Sequence, residues 1–549
     1  MCGRRTGNGI AMRRKRGKGM GSANFSRKAT GLVRQAKASD VFMYNVNFIN
    51  IAIGVAFMFL FMPAGAYPHT NMYVSTLVCT LAVLPCSIVY AMFASAMPRS
   101  GGDYVYVSRA LSPLWGFAAN WNYTIWSFLY IGVPAAFLGK YGISALARTL
   151  GVYLRAPGLI TVGNWFTTPI GVFITGVVLI VLYVILFGIG TNVYMRLQLI
   201  LFIVAALGLV TTLIVFAKFH GSFPAAFNHY MQALGGSPDT YRAVIDSLGN
   251  HAVQPAAFGW RDTLISMTWP FTVLGFSIAS AYIGGEIKGA NRAQLIGMPG
   301  SLLYSAAWII VLTWAVLKVA GFSFMGDLGA LNPSAVHLGF TPTFAEIGAM
   351  LTHNLALILL MGIGFMLWTY TWMPIYILTT TRNVLAWALD GLVPRKLADV
   401  SDRTHSPLWA IGLSGVLGIV FLYVYAFDPS FATIAGFFGQ VFTFILTSLA
   451  AIVFPIRQKD MFEASPVSWR IGGVPVISIL GVLSVVGLVL IEWAFLNDPN
   501  SGISVQSPLM LWINIGVFGS GFVYYAIAKA VRARQGIDLG LVFREIPPE

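Results

Sequence analysis

Two stretches decide the fold: Asn47-Phe48-Ile49-Asn50-Ile51-Ala52-Ile53-Gly54-Val55-Ala56 and Trp269-Pro270-Phe271-Thr272-Val273-Leu274-Gly275-Phe276-Ser277-Ile278-Ala279-Ser280. Each lies inside an apolar run long enough to cross a bilayer, and each holds residues that interrupt a helix. The first has two asparagines and then Gly54; the second has Pro270 and then Gly275-Phe276-Ser277. Hydrocarbon offers a broken backbone no hydrogen-bond partner, so interruptions survive only where protein or a water-filled cavity covers them. Taken singly, either glycine reads equally well as a helix-packing residue, because Gly and Pro are common in membrane helices.

Working outward, the apolar runs fall at roughly 44–64, 72–96, 114–138, 169–189, 194–217, 263–285, 299–320, 355–382, 408–427, 430–455, 474–496 and 508–529. At ~20 residues per crossing these are twelve transmembrane helices. The interrupted runs are the first and the sixth, the leading members of two five-span halves. Five is odd, so the second half enters the membrane from the opposite side, as an inverted repeat. Paired interruptions at corresponding positions of such halves point to a transporter site near the bilayer midplane. The fold class expected is therefore an all-α polytopic membrane protein: a five-plus-five inverted repeat with broken helices 1 and 6, plus two C-terminal helices.

The composition agrees. Of 549 residues, 57% are hydrophobic and 10% charged, against about 25% charged in a soluble domain. That excludes a string of soluble domains, and disorder as well. With the N-terminus cytoplasmic, 27 of the 34 Lys and Arg fall on the cytoplasmic side, as the positive-inside rule asks. The organisation expected is a basic cytoplasmic tail (1–39), a first repeat (40–217), an extracytoplasmic loop (218–262), a second repeat (263–455), helices 11 and 12 (456–532) and a cytoplasmic C-terminal tail (533–549). The tail holds eleven Lys or Arg and no acid; before a membrane domain that reads as contact with anionic lipid, with no nucleic-acid partner. No signal peptide is expected, and Met12 and Met20 are alternative starts. Cys2, Cys79 and Cys86 form neither a CxxC nor a disulfide ladder.

The segment Met97-Pro98-Arg99-Ser100-Gly101-Gly102-Asp103-Tyr104-Val105-Tyr106-Val107-Ser108-Arg109-Ala110-Leu111 resembles the loop between spans 2 and 3 of amino acid permeases, in the amino acid–polyamine–organocation superfamily. Gly284-Gly285-Glu286-Ile287-Lys288-Gly289-Ala290-Asn291-Arg292 is similar to that family's Glu-Glu-Val-Lys-Asn-Pro-x-Arg. Arg382-Asn383 through Asp390-Gly391-Leu392-Val393-Pro394 is similar to its Arg…Asp-Gly-x-Leu-Pro stretch. The resemblance implies alternating access and a substrate site formed by spans 1, 3, 6, 8 and 10. Two departures stand out: span 1 has Ile53-Gly54-Val55-Ala56 where the family often has Gly-x-Gly, and Ser277 stands where an acid often follows Gly-Phe.

A broken helix offers N–H groups and a positive half-dipole at one end, and carbonyls at the other. A substrate carboxylate is therefore expected on the N–H groups of Ile53, Gly54 and Val55. An amine is expected on the carbonyls of Leu274, Gly275, Phe276 and Ser277, with Phe276 as an aromatic lid and Trp126 and Trp368 as walls. Ser100-Gly101-Gly102 permits close backbone approach, and Asp103 is placed to cap the helix that follows. Arg99, Asp103, Arg109, Glu286, Arg292, Arg382 and Asp390 form a candidate cytoplasmic gate whose members pair when it shuts.

No cofactor is expected beyond a coupling ion, Na+ or H+. Residues 197–217 of span 5 hold no Lys, Asp, Glu or His, against one proton mechanism known among relatives, whereas Thr379 and Thr380 could offer oxygens to sodium. Glu492 in span 11 is the other acid at membrane depth. No HExxH, paired-His or Walker A motif is present, so enzymic and ATP-driven readings lack support and no metal ligand is expected. The function expected is secondary active transport of amino acids at the cell membrane, by uptake, with neutral side chains favoured. A polyamine or other organic-amine carrier or exchanger is the alternative, and a transporter-like receptor a further one.

Overall fold

A computed structural model describes residues 32–62, 67–247, 257–331, 340–428, 434–503 and 508–543. Most of the basic tail, with Cys2, Met12 and Met20, and the last six residues lie outside the described residues. The fold is overwhelmingly helical. Among the described residues, eleven helices are long and apolar enough to cross a membrane: Ala38–Leu60, Met72–Ala96, Pro113–Tyr153, Pro169–Ile189, Thr191–Lys218, Ala290–Ala320, Leu355–Leu389, Leu408–Phe427, Ala435–Arg457, Val476–Asn497 and Leu509–Arg534. They coincide with predicted spans 1 to 5 and 7 to 12, and keep those numbers below.

The sixth predicted span is not one helix. It runs as Trp260–Ile265, Thr268–Leu274 and two short 3-10 turns, Ala279–Tyr282 and Gly284–Glu286. Pro270 is tolerated because the helix restarts at Thr268, which leaves the proline in a first turn whose N–H groups have no intrahelical acceptor. Span 3 continues past its predicted end through a six-residue π-helical turn, Leu138–Ile143, to Tyr153. Among the described residues the one strand pair is a two-residue hairpin, Arg470–Ile471 with Val474–Pro475, between spans 10 and 11.

The helices pack in a reciprocal pattern. Span 2 lies against span 7, span 4 against span 9, span 5 against span 8, and span 3 against span 10. Spans 4, 5, 9 and 12 turn Ile, Leu, Val and Trp outward, as in Ile170, Val178, Ile200, Val416 and Trp512. Such side chains suit a lipid surround. Span 1, by contrast, is almost wholly enclosed.

One end of the bundle, the terminal face, carries Ala36, the 97–112 loop and the helix end at Arg532. There Ala36 bridges Ile287 in parallel and Ser100 bridges Ile283 antiparallel. Glycine makes this possible. Gly101 and Gly102 have φ of +102° and +50°, and a Cβ on Gly102 would sit 2.8 Å from the Tyr282 ring. At the opposite, far face the loop after span 7 is pinned to span 3 by a buried ion pair, Arg148 Nη2 to Glu346 Oε1 at 2.9 Å.

Candidate functional site

The first break falls at Asn50. Helix Ala38–Ile49 ends there, Asn50 adopts φ +58° and ψ +77°, and helix Ile51–Phe61 begins. Asn is among the few side chains that tolerate this left-handed conformation. Its Nδ2 donates to the carbonyl of Trp368 on span 8 at 2.7 Å, and its Oδ1 accepts from Ile53 N–H at 3.3 Å. Gly54 lies within the outer half-helix. Its N–H bonds to the Asn50 carbonyl at 2.9 Å, and a Cβ there would meet Val273 at 2.8 Å and Ile309 at 3.3 Å. Gly54 is thus the point of closest approach to span 6, and the helix N-terminus lies at Ile51 and Ala52.

The second break lies where the sequence placed it. The helix ends at Leu274, with Gly275 N–H on the Phe271 carbonyl and Phe276 N–H on Val273. Ser277 donates to Ser87 Oγ at 3.0 Å. Below it, Asn45 of span 1 holds the irregular chain, accepting Ser280 N–H at 2.9 Å and donating to Ser280 Oγ at 3.0 Å. Gln294 Nε2 takes the Ser280 carbonyl at 2.9 Å. These contacts satisfy backbone and hydroxyl groups that a buried loop would otherwise leave costly.

The two breaks meet across aromatic rings. Phe276 and Phe48 stand edge to face at 5.5 Å, Phe48 and Tyr376 at 4.6 Å, Phe276 and Phe437 at 5.3 Å, and Tyr130 stacks on Phe437 at 4.4 Å. Phe276 is 1% exposed, as a lid would be when shut. The walls come from Tyr130 and Trp372, each one turn along from the tryptophans singled out in the sequence. Trp126 packs against Gly436 and Gly439 of span 10. Trp368 donates Nε1 to Ala205 of span 5 at 3.1 Å and lends its carbonyl to Asn50. Sequence gives depth in the membrane but not the direction a ring faces. On the terminal side of the chamber, Tyr44, Asn47 and Tyr376 have buried side-chain polar atoms without a protein partner among the described residues. Buried polar groups are nearly always satisfied, so these atoms have capacity left for a ligand or water.

The gate charges pair at the terminal face. Arg382 Nε lies 2.6 Å from Glu286 Oε1, and Arg109 Nη2 lies 2.8 Å from Asp390 Oδ2, which also accepts from Tyr104 OH at 2.7 Å. All four charged residues are buried. Arg99 is half-buried and bonds to the Pro98 carbonyl, and Arg292 is exposed. Asp103 does not cap its helix. Gly102 is the N-cap, no side-chain cap bond forms, and the Asp103 carboxyl instead accepts Asn120 Nδ2 at 3.2 Å. Packing of spans 3 and 8 over the loop overrides the local capping pattern.

Burial pushes the Asp103 carboxyl up to about 7, from about 3.9 in an unfolded chain. Between those values the folded protein holds a proton that the unfolded chain has released, so stability falls as pH rises from about 4 to about 7. The full shift corresponds to on the order of 4 kcal/mol. Asp103→Asn is expected to flatten this slope and to match or exceed the wild type in apparent melting temperature above pH 7. Melting curves across pH 4.5–8.5 that are parallel for the two proteins would refute the assignment.

Residues 40–519 match the amino acid permease family. The chain belongs to that family. It is 24% identical over 502 residues to the branched-chain amino acid permease BcaP of Bacillus subtilis, covering 88% of this chain and 92% of that one. It is 23% identical over 522 residues to the methylthioribose transporter of the same organism, covering 91% and 95%. This permease-family chain is therefore a multi-pass membrane transporter of a small molecule and not an enzyme.

Two further sequence candidates have definite surroundings in this transporter. Thr380 and Thr381 bond back to carbonyls of their own helix and to Ser414 of span 9, whereas Thr379 Oγ1 has no protein partner among the described residues. Glu492 is buried in span 11, and neither carboxylate oxygen has a partner among the described residues.

Proposed function

We propose that this transporter carries amino acids with neutral side chains into the cell, by alternating access around the two broken spans. One observation carries the reading: breaks at Asn50 and Gly275 converge on a single aromatic chamber, sealed toward the terminal face by two buried ion pairs. The excess of Lys and Arg on the terminal face favours a cytoplasmic assignment, with both termini inside, in the cell membrane.

The five-plus-five inverted repeat is part of the proposal. Exchanging the halves maps span 2 onto 7, and the 5–8 contact onto the 10–3 contact; the packing has both. The substrate carboxylate would sit at the N-terminus of the outer half-helix, around Ile51 to Gly54 with Val55 behind. The amine would sit on carbonyls of Leu274 to Ser277. Among the described residues no acid lines this chamber, so a cationic side chain has no counter-charge there. The Bacillus subtilis relative named as a branched-chain amino acid permease supports a neutral substrate. For the coupling ion, Thr379 is the span 8 oxygen with capacity left for sodium, and Glu492 is the proton-carrying alternative.

The test is apparent thermal stability of the purified protein against the twenty amino acids, spermidine and methylthioribose, with and without sodium, at two pH values. A ligand that binds only the folded state raises stability by ~2.7 kcal/mol at a hundred times its Kd. Shifts with Leu, Ile, Val or Phe, and none with Arg or spermidine, are expected. A shift with methylthioribose alone would replace the amino acid reading, since a relative is named for that substrate.

A further inference from the structure

We propose that the cavity on the far face is a second ligand site, selective for carboxylates that carry an apolar body, with Lys140 as its anion-binding group. The site lies on the far side of the chamber at the two breaks, shares Tyr130, Trp372 and Phe437 with it, and does not require the transport reading. A receptor-like relative of the fold would possess it equally.

The cavity holds about 490 Å³, within the range of ~300–1,000 Å³ typical of small-molecule sites. Its walls come from spans 1, 3, 4, 6, 8, 9 and 10 and from the loop after span 11. Aromatic rings form a large part of the lining: Phe57, Phe137, Trp269, Trp372 and Phe437 present apolar surface suited to a side chain. Phe437 and Tyr130 separate it from the chamber below, where Phe276 is shut.

Among the described residues, Lys140 is the one Lys or Arg in this lining. It is half-buried, and its ammonium lies 5.4 Å from the Tyr141 ring centroid and 5.8 Å from that of Tyr425. Among the described residues it forms no ion pair with a carboxylate. Cation–ring contacts recover only part of the hydration that an ammonium loses on burial. A lysine at a lipid interface would extend toward headgroups; this one is held in the wall of an aqueous cavity between two tyrosines.

Its backbone is fixed there. Lys140 belongs to the π-helical turn Leu138–Ile143, a helix defect found mostly at functional sites. The glycines beside it are wedged against neighbours. A Cβ on Gly139 would meet Thr175 of span 4 at 3.2 Å, and one on Gly142 would meet Thr369 of span 8 at 2.5 Å. The turn's backbone is clamped on both sides, and the ammonium lies in the cavity wall beside the Tyr141 and Tyr425 rings. The other titratable groups in the lining are Tyr130, Tyr141, Tyr425 and, exposed at the rim, Asp428, which has contacts of its own. The phenol hydroxyls can donate to a carboxylate beside Lys140, and Asp428 marks the side away from which an anion would lie.

The test uses 3-phenylpropionate, which has the carboxylate and apolar body but no amine, against its methyl ester. L-Leucine is followed in parallel, all by calorimetric titration of the full chain in nanodiscs. Wild type is expected to bind 3-phenylpropionate and not the ester. Lys140→Met should weaken that binding about ten- to a hundredfold, in line with loss of a charge-assisted contact, and Lys140→Arg should keep it within a few-fold. Melting temperatures of both variants near wild type confirm folding. Leucine binding unchanged by Lys140→Met, beside lost phenylpropionate binding, separates the two sites. If leucine binds neither protein while phenylpropionate still discriminates, the amino acid reading fails and this site stands. Equal phenylpropionate binding by wild type and Lys140→Met, or none by wild type, overturns the proposal.

Discussion

Glu286→Ala is expected to unlock the terminal face. The substitution leaves the Arg382 guanidinium, 0% exposed, without the carboxylate 2.6 Å from its Nε. Removing one partner of a buried pair costs ~3–5 kcal/mol, because the remaining charge is uncompensated. That cost falls only on the conformation in which the pair is buried. If the terminal face opens, water reaches Arg382 and the penalty disappears. The population therefore moves toward the open form by roughly two to three orders of magnitude, at 1.4 kcal/mol per tenfold. A cysteine placed at buried Ala281 should label with a water-soluble maleimide at least tenfold faster in Glu286→Ala than in the otherwise wild-type background. Turnover in proteoliposomes should fall about a hundredfold, since the closed state must form once per cycle. Equilibrium binding in detergent, where ligand reaches the chamber from either side, should change far less. Removing Arg382 as well should restore part of the turnover, because no unpaired charge remains. A change confined to affinity, or labelling equal in the two backgrounds, would remove the gate from the mechanism.

The gathering of these charges on one face was legible in the sequence because it is a matter of side and charge. Lys and Arg bias fixes which loops share a face, and Glu286, Arg382, Arg109 and Asp390 all fall on it. Which charge meets which was not legible, for the partners are 96 and 281 residues apart in sequence. The spans themselves follow from runs of about 20 apolar residues, and the sixth break from the Pro270 and Gly275 punctuation. The π-helical turn at Leu138–Ile143 has no comparable local mark. Gly139 and Gly142 read there as ordinary membrane glycines, and their meaning comes from Thr175 and Thr369 on other helices. Asp103 shows the converse: a sound capping pattern, displaced because Asn120 offers the carboxyl a better-placed partner. Trp126 and Trp368 show the limit of depth without orientation.

Asn50 is where local and tertiary information part most sharply, and its replacement should have the largest effect on ligand binding. Sequence attention went to Gly54, the residue with the most conformational freedom. Yet Gly54 is helical and serves to admit Val273, while Asn50 bears the left-handed turn. A leucine at position 50 pays about 1–2 kcal/mol for that conformation. It also loses the bond to the Trp368 carbonyl and the cap on Ile53 N–H, each worth ~0.5–1.5 kcal/mol net, with more lost if a buried group is left unpaired. The sum, about 2–5 kcal/mol, favours a continuous first helix, which high helix propensity in Leu further encourages. Asn50→Leu is therefore expected to insert in the membrane as a helical protein and to lose binding of its amino acid ligand by at least a hundredfold. Asn50→Gly supplies the control: it keeps the left-handed backbone and loses only the side-chain bonds, so binding should weaken by about tenfold. If the two variants bind alike, the side-chain tie to span 8 outweighs the backbone turn. If Asn50→Leu binds as wild type does, the break at Asn50 does not form the site.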